Sequence, residues 1–100
     1  MALVTRRKVT IVAEALLEER LIRELRSLGA RGVTIAAVRG EGSRGVRSGD
    51  WEDANVRLES IVAREVADAI LARIAERYFD DFAVIAWVDD VEVVRGDKYG

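Results

Sequence analysis

The hydrophobic period of this chain switches between strand and helix, and the order of the switches constrains its fold more than any other feature. Lys8–Ala13, KVTIVA, is rich in β-branched residues and reads as a strand. From about Glu14 to Leu28 the pattern is helical. Leu17, Leu21, Leu25 and Leu28 recur at spacings of four, four and three, with Ile22 beside them, which places them on one face. Glu14, Glu18 and Glu19 near the start and Arg23 and Arg26 near the end complement the helix dipole. Gly29 stands where a left-handed cap would end the helix.

Gly32–Arg39, GVTIAAVR, predicts a second strand, apolar on both faces and therefore expected at the centre of a sheet. A glycine-rich loop poor in apolar residues spans about 40–54. Asn55–Ala63, NVRLESIVA, alternates as a half-buried strand does. Over Arg64–Tyr78, the residues Val66, Ala67, Ile70, Leu71, Ile74, Ala75 and Tyr78 form a stripe at helical period. Phe82–Val88, FAVIAWV, reads as an apolar strand, and Val91–Arg95 as a short separate edge strand.

The resulting order, βαββαβ, is the split βαβ pattern of an α+β, ferredoxin-like fold. Right-handed crossovers put both helices on one face of a four-stranded antiparallel sheet. The chain is expected to form a single domain over residues 1–100, of a size that buries only about 60–70% of its unfolded surface. Strands 33–38 and 82–88 are apolar on both sides, so the face without helices also needs cover. Further copies of the chain packing sheet to sheet would provide it, and a homo-oligomer is expected.

Composition narrows the chemistry. With no cysteine and no histidine, the chain lacks disulfides, thiolate metal sites, the commonest general base and any Ser-His-Asp or Cys-His triad. Sixteen basic against eighteen acidic residues is not the basic excess of a nucleic-acid surface, and no nucleic-acid partner is expected. The strands also lack the stacking aromatics of an RNA-reading sheet. No apolar run approaches the roughly 20 residues that span a bilayer. The basic start, Arg6 to Lys8, reads as a solubilising leader, and a cytoplasmic location is expected.

The segment with most chemistry is Arg39–Gly49, RGEGSRGVRSG. Gly40, Gly42, Gly45 and Gly49 permit close backbone approach, and successive N–H groups in such turns form anion-binding nests. Ser43 and Ser48 add hydroxyls, and Arg44 and Arg47 carry guanidinium forks that match phosphate oxygens. No GK[ST] follows, so this is not a P-loop, and the loop leads into a strand, so it is not a dinucleotide fingerprint. By pattern alone, a flexible charged hairpin loop fits as well as a phosphate site. Asp50, Glu52 and Asp53 surround Trp51 at the loop's far end. They suit a solvated acidic turn better than a cation site. Trp51 either anchors a partner or folds back on the body. No metal site is expected.

The stretch GVTIAAVRGEGSRG, with Gly32-x-Thr34 and then Gly40-x-Gly42, resembles the second strand and the start of the T-loop in PII signalling proteins. Gly42-Ser43-Arg44-Gly45-Val46-Arg47-Ser48 looks like the GSR-x-VRS segment of PII-like proteins of the SbtB type, which accompany bicarbonate transport, and of their carboxysome-associated relatives. Ala54-Asn55 and Tyr78-Phe79-Asp80-Asp81 also resemble theirs, and the likeness runs from about Lys8 to Val94.

That resemblance implies a homotrimer with nucleotide clefts between subunits and a T-loop at about 40–54. The implied ligands are AMP, ADP, cyclic AMP and ATP, with bicarbonate suggested by the carboxysome-associated relatives. It implies that Arg44 and Arg47 hold phosphate with Ser43 and the backbone of Gly40 and Gly42. Thr34 would lie near base or ribose, with Phe82 and Val84 in the adenine wall. The ordered loop would act on a bicarbonate transporter or another membrane partner, and the chain would be a sensor with no cofactor rather than an enzyme. Weak phosphohydrolysis at the same cleft is the alternative. The chain departs from the pattern in three places. It lacks the cysteine-bearing tail, so the tail's redox behaviour is not carried over. Asp80-Asp81 stands where ordinary PII proteins carry a basic loop, which disfavours a triphosphate. Glutamine is absent, which removes the side chain that helps those proteins bind 2-oxoglutarate.

Overall fold

The computed structural model describes residues 1–40 and 54–95. In chain order, β1 covers Val4–Glu14 and runs into a 3-10 turn, Ala15–Leu17. Helix α1 follows over Glu18–Ser27, then β2 over Thr34–Val38 and β3 over Asn55–Val62. Helix α2 spans Arg64–Tyr78 and β4 spans Ile85–Val93. The strands form one antiparallel sheet in the order β2-β3-β1-β4. The α+β, ferredoxin-like architecture with two helices is therefore present as the period pattern implies.

Alternation on the inner strands builds the core. Val9, Ile11 and Ala13 of β1 lie beside Ser60, Leu58 and Val56 of β3, and all six are buried. The helices close over this face with Leu21 and Leu25 of α1 and Ala67, Ile70, Ile74 and Tyr78 of α2. Each large apolar side chain so buried contributes about 1.5–3 kcal/mol. Ser60 is the one hydroxyl on the core face of β3. It donates to the Gly32 carbonyl at 2.6 Å, so the residue that leads into β2 is pinned to the core strand.

Several boundaries differ from the sequence reading, each for a tertiary reason. Strand β1 begins earlier than the period suggests and takes Arg6 to Lys8 into the sheet rather than leaving them as a leader. Charges here are met across the ladder: Arg7 Nε lies 2.9 Å from Asp90, and Lys8 Nζ lies 3.9 Å from Glu59. The first helix opens with the 3-10 turn instead of at Glu14. Val91–Val93 continue β4 and pair with Val4–Arg6, so there is no separate edge strand. Strand β2 is an edge strand, not a central one. At this edge Ile35, opposite Leu58 on the core face, remains 40% exposed.

The face away from the helices carries cross-strand rows. One row is Ala36, Arg57, Val12 and Ile85, and the next is Thr34, Glu59, Thr10 and Trp87. Ile85 is 57% exposed and Trp87 41% exposed. Beside Trp87, the Thr10 hydroxyl is buried with no hydrogen-bond partner among the described residues.

Candidate functional site

At one end of the sheet the register sets Val38, Asn55 and Glu14 side by side. Strand β2 leaves the sheet here, β3 enters it, β1 finishes and β4 is about to begin. Both roots of the 40–54 loop and the segment that precedes β4 therefore lie at the same end of the sheet. The Ala15 N–H donates to the Ala54 carbonyl at 3.1 Å, closing the loop's C-terminal root onto the end of β1. Gly40, at the N-terminal root, is exposed, and a Cβ added there would meet nothing within 4 Å among the described residues.

Residues 82–84 are held from several directions. The Phe82 N–H donates to the Tyr78 carbonyl at 3.0 Å, continuing the last turn of α2. The Phe82 ring packs against Tyr78, with centroids 5.8 Å apart and a tilt of 43°. The Arg20 guanidinium caps both rings, 5.0 Å from the Tyr78 centroid and 5.7 Å from that of Phe82. Val84 packs against the edge of the core. The Ala83 N–H donates to Glu14 Oε2 at 3.3 Å. Asp80 and Asp81 are exposed in the turn between α2 and this segment.

Behind Phe82 lies a charged staple between the helices. Glu24 of α1 accepts from Arg73 Nη1 at 2.8 Å, from Tyr78 Oη at 3.0 Å and from Arg77 Nη1 at 3.3 Å. Burial pushes the Glu24 carboxyl up, but the hydrogen bonds from Arg73 and Tyr78 and the charges of Arg77 and Arg73 outweigh it. Its pKa settles below the ordinary value. The Tyr78 phenol is raised, first by burial and then by its bond to the Glu24 carboxylate, with Arg20 acting against both.

The sequence-derived candidates divide in space. Thr34 opens β2 at one edge of the sheet, exposed and paired with Glu59. Phe82 and Val84 lead into β4 at the other edge. Three interstrand steps separate those edges, about 14 Å at a spacing of roughly 4.8 Å. In this chain Thr34 and the Phe82–Val84 segment thus lie on opposite edges of the sheet. Gly42, Ser43, Arg44 and Arg47, like Asp50, Trp51, Glu52 and Asp53, lie outside the described residues. Among the described residues no group of three or more acidic, histidine or cysteine side chains is placed to hold a metal ion.

Glu14, Arg20 and Glu24 had no place among the sequence candidates. Glu14 reads as a helix-start acid, and neither Arg20 nor Glu24 stands out in the sequence. Nothing in their spacing shows that one reaches residue 83, that another caps two rings, or that the third gathers three donors from α2.

The chain belongs to the nitrogen regulatory protein P-II family, whose profile matches residues 6–98. It is thus a PII-like signalling protein. A PII-like signalling protein of Thermus thermophilus, known from a crystal structure, is 60% identical over 100% of both chains, with a TM-score of 0.89. CPII of Thiomonas intermedia K12, solved with ADP and bicarbonate, is 26% identical over 99% of this chain and 98% of that one, with a TM-score of 0.87. A second CPII structure, with ADP, AMP and acetate, aligns at 24% identity over 99% and 98% of the two chains. Its TM-score of 0.85 speaks for the fold.

Proposed function

We propose that this chain reads adenylate state by binding ADP, AMP or cyclic AMP in clefts between the protomers of a homotrimer. The observation that carries the reading is the separation of Thr34 from Phe82 and Val84 on opposite sheet edges. A cleft that uses all three needs the β2 edge of one protomer against the β4 edge of another. The exposed Ile85 and Trp87 on the helix-free face supply apolar surface for that assembly. The nucleotide chemistry is supported by CPII, which binds ADP and bicarbonate in the structure noted above.

In this reading Arg44 and Arg47 pair with phosphate oxygens, helped by Ser43 and the N–H groups of Gly40 and Gly42. Phe82 and Val84 wall the base, and Thr34 of the neighbouring protomer meets the base or ribose. Asp80 and Asp81 repel a γ-phosphate, so ATP binds more weakly than ADP. Bicarbonate is a second ligand. The loop at 40–54 then orders and signals to a partner, a bicarbonate transporter or other membrane protein, from the cytoplasmic side. Binding, not turnover, is the output.

Calorimetry with AMP, ADP, ATP and cyclic AMP, with and without bicarbonate, tests this, alongside light scattering for the trimer. ADP binding by a trimer supports it. An intact trimer silent to all four nucleotides overturns it.

A further inference from the structure

We infer that Glu14 is a positioning residue that ties the segment 82–84 to the C-terminal root of the 40–54 loop. Its importance for a ligand rests on the proposed function, but the tie itself does not.

The two strands that flank β1 end at different points. The ladder with β3 runs to Glu14↔Asn55, whereas the ladder with β4 stops at Val12↔Ile85. On its β4 side, the last stretch of β1 therefore has no strand beside it, and residues 82–84 have left the ladder. An amide there needs an acceptor from elsewhere. The Glu14 carboxylate supplies it, taking the Ala83 N–H at 3.3 Å. The Glu14 backbone sits beside Asn55 in the β3 ladder, and the next N–H, that of Ala15, holds the Ala54 carbonyl at 3.1 Å. The adjacent pair Glu14 and Ala15 thus holds the loop root through main-chain pairing, and the Glu14 side chain holds the 82–84 segment.

The consequence is a fixed spacing between two parts of the proposed site. Phe82 is anchored by Tyr78 and Arg20 on the helix side, and Val84 leads directly into β4. Ala83, between them, has the Glu14 bond as its hold on β1. Without that bond the segment keeps its anchor at Phe82 but loses its register against Asn55. A ligand that touches both the loop and residues 82–84 would then have to order them itself, and binding would weaken.

The test compares wild type with Glu14→Ala and Glu14→Gln. Glutamine keeps a carbonyl acceptor without the charge, whereas alanine has none. Glu14 is only half-buried, so both variants are expected to fold, which circular dichroism checks. Amide exchange is read first, without nucleotide. The Ala83 amide should exchange faster in Glu14→Ala and at about the wild-type rate in Glu14→Gln. ADP affinity is read second. It should fall about tenfold in Glu14→Ala, the scale of one hydrogen bond's contribution, and be retained in Glu14→Gln. Ala83 exchange that is unchanged in Glu14→Ala overturns the tie. Faster exchange with unchanged ADP affinity overturns its role for the ligand. If wild type binds no adenine nucleotide, the proposed function fails, and the exchange rates still decide whether the tie exists. If Glu14→Ala does not fold, Glu14→Leu, which likewise lacks an acceptor, takes its place in both readings.

Discussion

The Tyr78 phenol on α2 donates to Glu24 Oε2 on α1 at 3.0 Å, and the same carboxylate takes Arg73 at 2.8 Å and Arg77 at 3.3 Å. Four side chains thus lock the outer ends of both helices together, directly behind the ring of Phe82. The staple links the packing of the helix layer to the segment that enters β4, because Tyr78 also carries Phe82 through its carbonyl and its ring.

Glu24 gives this staple a pH dependence of definite sign. Its folded pKa is lowered, so the stability it contributes is complete above the ordinary carboxyl value of 4.5 and disappears as pH falls through the folded value. Wild type should lose thermal stability on acidification below about pH 4.5, and Glu24→Gln should lose measurably less over the same range. Tyr78→Phe should cost about 1–2 kcal/mol at neutral pH, read by urea unfolding. Superimposable acid profiles for wild type and Glu24→Gln would remove the staple from the account.

Gly29 ends α1 with φ of +117°, and a Cβ there would meet Val66 Cγ2 at 3.3 Å. Gly29→Ala should therefore destabilise by about 1–2 kcal/mol through backbone strain, with the crowded contact adding to it. Adding Val66→Ala removes the crowding but not the strain, so the double variant should not regain the backbone component. Thermal denaturation of the single and double variants separates the two contributions.

Trp87 stands on the helix-free face, in register with Thr10, and is 41% exposed in the protomer. In the proposed trimer that face is covered. Trp87→Glu should shift the light-scattering mass from three protomers towards one, since a carboxylate resists transfer into an apolar interface. The protomer fold should survive, because the substitution lies away from the helix-covered core. A variant that stays trimeric would place the contact surface elsewhere.

Arg44 and Arg47 are proposed to bear the phosphate contacts. Arg44→Ala combined with Arg47→Ala should weaken ADP binding by at least about tenfold, given roughly 1.5–3 kcal/mol for a hydrogen bond to a charged group. Binding of adenosine should change far less. Equal affinity of the double variant and wild type for ADP in calorimetry would refute the assignment.

Where a segment's burial is set by its neighbours in the chain, its period identifies it. Helix α2 falls on Arg64–Tyr78 as the stripe from Val66 to Tyr78 indicates, and β3 ends within one residue of its expected span. Ambiguity arises where burial comes from distant residues. The apolar pattern of β2 looks the same in the middle of a sheet and at an edge that meets another chain. The short continuation of β4 looks detached until Val4–Arg6 pair with it. The glycine-arginine loop marks a phosphate-binding composition, but composition does not show that Glu14 reaches Ala83 or that Arg20 caps Phe82. Those contacts join residues 69 and 62 positions apart, beyond any local spacing rule.

The amino-acid sequence alone determined the order of strands and helices, the face each helix buries and the chemistry available in the loop. Local propensity and hydrophobic period act over a few residues, which is enough for these. Tertiary structure alone decided which strands lie at the edges, that Thr34 and Phe82 are kept apart within one protomer, and that Glu14 and Glu24 tie segments distant in sequence. Such placements follow from how the whole sheet pairs and which side chains then come within hydrogen-bonding reach, and no stretch of sequence encodes that by itself.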